Sequence, residues 1–107
     1  MAWGFVFLAG LLEIGWAIGL KHADGFSRPG PTIATIVAMI ASFALLGLSL
    51  RTLPLGTAYA IWTGIGTVGT AILGILYFRE PATAIRIACL ALIVLGIAGL
   101  KLTAAPR

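Results

Sequence analysis

Charged side chains are scarce in this chain. Of its 107 residues, seven are Lys or Arg, three are Asp or Glu and one is His, so 9% are charged while 61% are hydrophobic. A soluble domain of ordinary composition has about 25% charged residues, and the mean hydropathy of this sequence is +1.13. Such a chain has too few charges to cover a surface that faces water. The scarcity excludes a soluble globular domain and predicts a protein surrounded by lipid.

Residues for covalent or metal chemistry are equally scarce. Cys89 is the single cysteine, which excludes an intrachain disulfide, and no Cys or His residues have the spacing of a metal site. No nucleophile, base and orienting group occur together, and the sequence has no phosphate-binding loop. The sequence therefore predicts neither an enzyme nor a cofactor, and Cys89 is interpreted as a small packing residue.

Four apolar segments occupy most of the chain, at 3–20, 32–50, 57–78 and 84–100. A membrane-crossing helix needs about 20 apolar residues, and prolines such as Pro54 and Pro81 lie near the starts of segments, where a missing N–H costs little. The first segment has no basic residue before it and no cleavage pattern after it, so we do not expect a signal peptide. The prediction is one all-α domain, 1–107, with four transmembrane helices in the cell's inner (plasma) membrane.

Basic residues are divided almost evenly between the two ends of the predicted helices. The end that holds the N-terminus has Arg51, Lys101 and Arg107, and the opposite end has Lys21, Arg28, Arg79 and Arg86. Loop basicity normally sets the orientation of a membrane protein, so the net charge of +4 does not indicate a nucleic-acid partner. With three basic residues at one end and four at the other, copies of the chain could insert in both orientations and pair antiparallel. The alternative is a single orientation that the charge of one loop decides.

Glu13 is an acid within the first apolar segment. It follows Trp3 by ten residues, which places it roughly 15 Å deep at about 1.5 Å per residue, near the middle of the hydrocarbon. A carboxylate at that depth costs about 2.5 to 3.5 kcal/mol on insertion scales. No other Asp, Glu, Lys, Arg or His lies inside a segment except near its ends. Glu13 is therefore expected to meet a proton, a cationic ligand or its equivalent in another subunit; a protonated acid with a purely structural hydrogen bond is the alternative.

Residues near Glu13 on the same helical face support a binding site. Positions three and four residues away share a helical face, which brings small Gly10 and aromatic Trp16 beside the acid. Trp16 is interpreted as an aromatic wall for a cation, with core packing as the alternative. Ser42 in the second segment is a candidate hydrogen-bond partner for the carboxylate, although serine also bonds back to its own helix.

The third segment combines aromatic residues with glycines. Tyr59 and Trp62 fall on one face at i and i+3. Gly64 and Gly66 follow them directly and are interpreted as a place where the helix bends between two states. Close helix packing is an equally good explanation for glycines in a membrane helix.

The fourth segment has no polar residue in its interior. Gly96 and Gly99 are small residues three apart, and small residues allow helices to approach closely in membranes. Together with Cys89 they are predicted to form a helix-pairing surface between two subunits.

The whole chain closely resembles the small multidrug resistance transporters. The resemblance rests on "AGLLEIGWAIGLK" around Glu13, on "GFSR" after the first segment and on "LPLGTAYAIWTGIGTVG" in the third. Trp16, Ser42 followed by Phe43, and "GLK" at 99–101 are similar to the guanidinium-exporter branch of that family. The resemblance implies an antiparallel homodimer of oppositely inserted copies and a proton-coupled antiporter that exports guanidinium and small guanidinyl cations.

A mechanism consistent with this resemblance follows from the chemistry of the residues. Two Glu13 carboxyl groups, one per subunit, would face a shared cavity, where burial and mutual repulsion favour the protonated form and let protons and cations compete. Guanidinium binds carboxylate through two parallel hydrogen bonds and stacks on indole rings, which Trp16 and Trp62 would supply. Ser42, Tyr59 and Trp62 would orient the carboxylate.

Three other functions remain open at the level of the sequence. A quaternary ammonium exporter of the same family would use the same glutamate with a looser aromatic cage. A cation channel would also use a buried acid, but it needs a polar stripe along its whole length. A structural membrane subunit would not depend on Glu13.

Overall fold

The computed structural model describes residues 1–103, and Arg107, counted above among the loop charges, lies outside them. Four α-helices follow one another: α1 (Ala2–Ala23), α2 (Pro29–Ser49), α3 (Leu55–Tyr77) and α4 (Ala84–Thr103). All four are long and apolar enough to cross a membrane. Helices suit lipid because each satisfies its own backbone hydrogen bonds. The prediction of an all-helical protein with four membrane-spanning helices is confirmed.

Prolines mark the starts of two of the helices, as the sequence indicates. Pro29 occupies the first turn of α2 after an extended Arg28, and Pro54 is the extended residue just before α3. Proline suits these positions because its fixed φ fits a helix start and the missing N–H would have no partner there. Pro81 instead lies in the loop before α4, which begins three residues later at Ala84.

The first helix is longer than its apolar segment. α1 continues through Lys21 and His22 to Ala23, and basic side chains are favourable at a helix C-terminus. The Lys21 ammonium lies 5.3 Å from the ring centroid of Phe78. The ring centroids of His22 and Phe78 are 5.8 Å apart. These contacts hold the end of α1 against the end of α3.

Helix α1 is the centre of the packing. It lies along both α2 and α3, whereas the backbone of α4 packs along α3 alone within residues 1–103. The Lys101 side chain of α4 also reaches α1, where its ammonium lies 5.4 Å from the ring centroid of Trp3. The buried core is a small cluster of Val6 and Ala9 from α1, Leu53 from the second loop, and Ala58, Ile61 and Trp62 from α3. No residue of α4 is buried. The protomer therefore has an α1–α3 core and a fourth helix attached at its side.

Candidate functional site

The carboxyl group of Glu13 lies against Gly66 of α3. A methyl group at position 66 would overlap the Glu13 carboxyl carbon and Oε1, so the acid has room only because residue 66 has no side chain. Glu13 Oε1 is buried and has no hydrogen-bond partner among residues 1–103. A buried carboxylate oxygen without a partner is costly. The geometry therefore leaves one acceptor free for a proton or a cation.

Glu13 lines a cavity of about 370 Å³ between α1, α3 and the start of α4. The lining residues of this Glu13 cavity are Glu13, Ala17, Gly66, Thr67, Thr70, Ala71, Glu80 and Arg86. The cavity extends from the middle of α1 to the α3–α4 loop. Its outer end, called the mouth here, is lined by Glu80 and Arg86, whose side chains are 46% and 35% exposed. It is an open cavity lined by two carboxyl groups, one guanidinium and two hydroxyls, in a bundle that is otherwise apolar.

Four of these polar residues were not singled out in the sequence: Thr67, Thr70, Glu80 and Arg86. The sequence contains a signal for the two threonines, because Thr70 follows Gly66 by four residues and Thr67 by three, so that it neighbours both on the surface of α3. For Glu80 and Arg86 the sequence indicates only a place in a loop and near a helix end. Whether a loop charge faces water or a cavity depends on how the loop folds back, which periodicity does not report.

Ser42 connects three helices one turn before Glu13. Its Oγ donates a hydrogen bond of 2.7 Å to the carbonyl oxygen of Ala9, and Trp62 Nε1 donates one of 2.9 Å to Ser42 Oγ. Both side chains are buried. The direct bond expected between Ser42 and Glu13 is not formed in the protomer, and neither is the bond back to its own helix. Ser42 instead holds the turn of α1 that precedes Glu13.

Aromatic rings form a continuous row beside this hydrogen-bonded group. Ring centroids are 5.6 Å apart for Tyr59 and Trp62, 5.7 Å for Trp62 and Phe43, and 6.3 Å for Phe43 and Trp16. Trp16 Nε1 is buried with no hydrogen-bond partner among the described residues, and Tyr59 is 55% exposed. The structure thus brings three predicted aromatic residues together through Phe43, but none of them lines the Glu13 cavity of the protomer.

Gly10 is placed at a helix contact rather than on the cavity. A Cβ at this position would lie 2.7 Å from Ile65 Cγ2, so the space beside Gly10 is filled by α3. The expected contribution of Gly10 to a substrate cavity is therefore replaced, in the protomer, by close α1–α3 packing. This packing brings the turn that carries Glu13 next to Gly66.

The remaining predicted glycines lie in two different settings. Gly64 faces α4, where a Cβ would lie 2.6 Å from Ile97 Cδ1, and α3 runs without interruption through Gly64 and Gly66. Gly96 and Gly99 face open space, with no atom within 4 Å of a Cβ at either position. Both lie on the exposed side of α4.

Four helices that are long and apolar enough to cross a membrane define a multi-pass membrane protein, and an acid within such a helix is typical of ion and proton transporters. Residues 1–93 match the model of the Small Multidrug Resistance protein family. The chain belongs to this family, as its motifs predict, and is a multi-pass membrane transporter, located in the inner membrane in a bacterial cell.

Relatives of known function are similar over nearly the whole length. The Guanidinium exporter of Escherichia coli (strain K12) is 57% identical over 103 residues, covering 96% of this chain and 98% of the relative. The protein of the same name from Salmonella typhimurium is 59% identical over 104 residues, covering 97% of this chain and 99% of the relative. That from Proteus vulgaris is 59% identical over 102 residues, covering 95% of this chain and 98% of the relative.

Proposed function

We propose that this protein is a proton-coupled antiporter that exports guanidinium and small guanidinyl cations in exchange for protons. The observation that carries the proposal is Glu13 Oε1, a buried acceptor without a partner on a polar cavity. Relatives named Guanidinium exporter support the choice of substrate. The proposed activity is transport without catalysis of a chemical reaction.

The chemistry of the acid explains why two ions would exchange. A carboxylate inside the membrane needs a positive partner or a proton, and Glu13 offers one carboxyl group to both. Guanidinium suits the carboxylate because its planar fork of N–H groups matches two oxygens. Raising the pH on the side where the cation binds removes the competing proton, so cation loading is expected to increase with pH.

The aromatic row and Ser42 are proposed to complete the site. Trp62 is fixed by Ser42, and Ser42 fixes the turn before Glu13, so both orient the acid through the backbone. Tyr59 and Trp16 lie at the two ends of the row and offer faces on which a planar cation stacks. Gly10 contributes by allowing the α1–α3 contact, and Gly64 and Gly66 remain the proposed bending points of α3.

The transporting unit is proposed to be an antiparallel homodimer. Helix α4 buries no residue in the protomer, and its Gly96 and Gly99 are open for close approach of another helix. The nearly balanced loop charges are compatible with insertion of copies in both orientations. A second copy of this chain is therefore the proposed occupant of that face.

Labelling from one side of the membrane tests the orientation. In a Cys89→Ser background, Ser27→Cys and Thr52→Cys place one thiol at each end of the bundle, since they lie in successive loops. We expect an impermeant thiol reagent to modify about half of each variant in sealed cells, because dual insertion presents each loop on both sides. Complete labelling of one variant and none of the other would establish a single orientation and overturn the antiparallel dimer.

Flux of guanidinium driven by a pH gradient tests the function itself. Liposomes that contain the purified protein are expected to take up guanidinium against its gradient when protons flow the other way. An excess of a tetraalkylammonium ion is expected to inhibit this uptake little, because such an ion has no N–H donors for the carboxylate. Coupled flux of the tetraalkylammonium ion instead would assign the protein to multidrug export, and absence of coupled flux for either ion would overturn the proposal.

A further inference from the structure

The mouth of the Glu13 cavity has a carboxylate of its own. Glu80 lies in the α3–α4 loop and Arg86 in the first turn of α4, and both line the cavity. We infer that Glu80 is a second binding station for guanidinyl cations, and that Arg86 occupies this station when no substrate is bound. This inference rests on the proposed transport of guanidinyl cations and identifies where they enter and leave.

Backbone hydrogen bonds hold Glu80 in place at the end of α3. Phe78 N–H and Glu80 N–H both donate to the carbonyl oxygen of Gly74, at 3.0 and 3.1 Å, and Arg79 between them is left-handed with φ 59°. A left-handed residue followed by such a return bond reverses the chain at a helix end. The reversal lays the Glu80 carboxylate over Gly74, where a Cβ would lie 2.7 Å from Glu80 Oε1.

Each carboxyl group of the cavity therefore lies on a glycine of α3. Gly66 accommodates Glu13 and Gly74 accommodates Glu80, and eight residues of helix separate these glycines by about 12 Å. Thr67 and Thr70 line the cavity between them. Thr70 Oγ1 is buried with no hydrogen-bond partner among the described residues. The face of α3 is thus a polar track with one carboxyl group at each end.

Arg86 supplies the group that a guanidinyl substrate would replace. Its Nη2 donates to Glu80 Oε1 at 3.3 Å, and its Nη1 donates to the carbonyl oxygen of Pro81 at 2.9 Å. Its backbone N–H donates to Thr83 Oγ1 at 3.2 Å, an N-terminal cap of α4. The protein thus presents its own guanidinium to the second carboxylate of the cavity.

The ion pair is weak enough to be exchanged. Glu80 and Arg86 share a single contact, and their side chains are 46% and 35% exposed, a setting in which ion pairs contribute little to stability. An incoming guanidinyl cation has the same N–H donors as Arg86 but is not attached to the backbone, so it can orient freely on the Glu80 carboxylate and displace Arg86. The released Arg86 guanidinium then repels the bound cation towards Glu13. When Arg86 pairs with Glu80 again, the cation has left the second binding station. In the antiparallel dimer, each side of the membrane has one such mouth.

Apparent affinities of two variants test this competition. In the reconstituted full-length protein, Glu80→Gln is expected to raise the half-saturating guanidinium concentration about three- to fivefold, the range of one exposed charged contact. Arg86→Gln is expected to lower it by a similar factor, because the internal competitor is gone. If the pair only fastened the loop to α4, both variants would change the affinity in the same direction, which would overturn the inference.

A double variant and a matched control separate competition from a general effect of charge. The gain from Arg86→Gln is expected to vanish in the Glu80→Gln background, and Arg79→Gln, an equal loss of charge in the same loop, is expected to give no gain. A gain in affinity that persists without Glu80, or that Arg79→Gln reproduces, would contradict the inference.

If Glu80→Gln does not fold, Glu80→Asp takes its place. Its shorter side chain is expected to raise the half-saturating guanidinium concentration by less. Wild-type protein without guanidinium flux would overturn the proposed function as well, whereas wild-type flux with unchanged affinities in the variants would overturn this inference alone.

Discussion

Replacing Glu13 by Gln is expected to abolish proton-coupled guanidinium exchange. Gln has nearly the same shape but carries neither a charge nor a titratable proton, so both exchanged ions lose their site. Removing one partner of a buried ion pair costs about 3 to 5 kcal/mol, which corresponds to a loss of guanidinium affinity of at least about a hundredfold. The measurement is pH-driven guanidinium uptake together with equilibrium binding, on protein whose folding is checked by its size-exclusion profile.

Glu13→Asp is the matched control for this variant. Asp keeps the acid and the charge but is shorter by one methylene, so coupling is expected to persist with weaker binding. Loss of uptake in Glu13→Gln and its retention in Glu13→Asp would identify the carboxyl group itself as the shared site. Coupled uptake that survives in a folded Glu13→Gln protein would exclude Glu13 as the exchange site and revive the structural role considered for this residue.

Replacing Gly66 by Ala is expected to weaken guanidinium binding about tenfold. The new methyl group would occupy the place of the Glu13 carboxyl group, and the acid must move away from the cavity while keeping its charge. Binding would then require the carboxyl group to return against the methyl group, at about the 1 to 3 kcal/mol that overpacking of a closely packed position costs, and 1.4 kcal/mol is a factor of ten in affinity. Equilibrium binding of guanidinium at a pH where Glu13 is charged measures the effect directly.

Two other glycine variants distinguish this steric effect from stiffening of the helix. Gly64→Ala removes the same conformational freedom two residues away, but its methyl group meets the end of the Ile97 side chain rather than Glu13. Gly47→Ala in α2 meets no atom within 4 Å and reports any general effect on stability. Binding is expected to stay close to wild type in both. Equal losses in Gly64→Ala and Gly66→Ala would instead assign the effect to bending of α3.

The membrane-spanning helices could be predicted from the sequence because lipid imposes a simple rule. Each helix must be apolar over about 20 residues, so their number and approximate position follow from hydropathy. The extension of α1 through Lys21 and His22 could not be predicted in this way, because basic residues end an apolar run without ending a helix. Its ends depend on backbone hydrogen bonds and on contacts with Phe78.

Glu13 could also be predicted from the sequence as the central residue of the candidate site, since an acid inside an apolar segment is costly unless it meets a proton, a cation or another subunit. Its surroundings could be predicted only in part. Ser42 and Trp62 were expected beside the acid, and the structure joins them to each other and to Ala9 instead. Residues on different helices meet according to the rotation and depth of each helix, and helical spacing within one segment contains no information on either.

Composition and spacing along one segment suffice to predict the lipid environment, the four helices, the family and the depth of Glu13. Tertiary packing was needed to show that Glu13 rests on Gly66, that Ile65 fills the space beside Gly10, and that Glu80 and Arg86 line the same cavity as Glu13. These contacts depend on how the helices pack against one another and on the reversal of the chain after α3, and neither follows from spacing within one segment. A charge in a loop has the same sequence signature whether it faces water or a binding site.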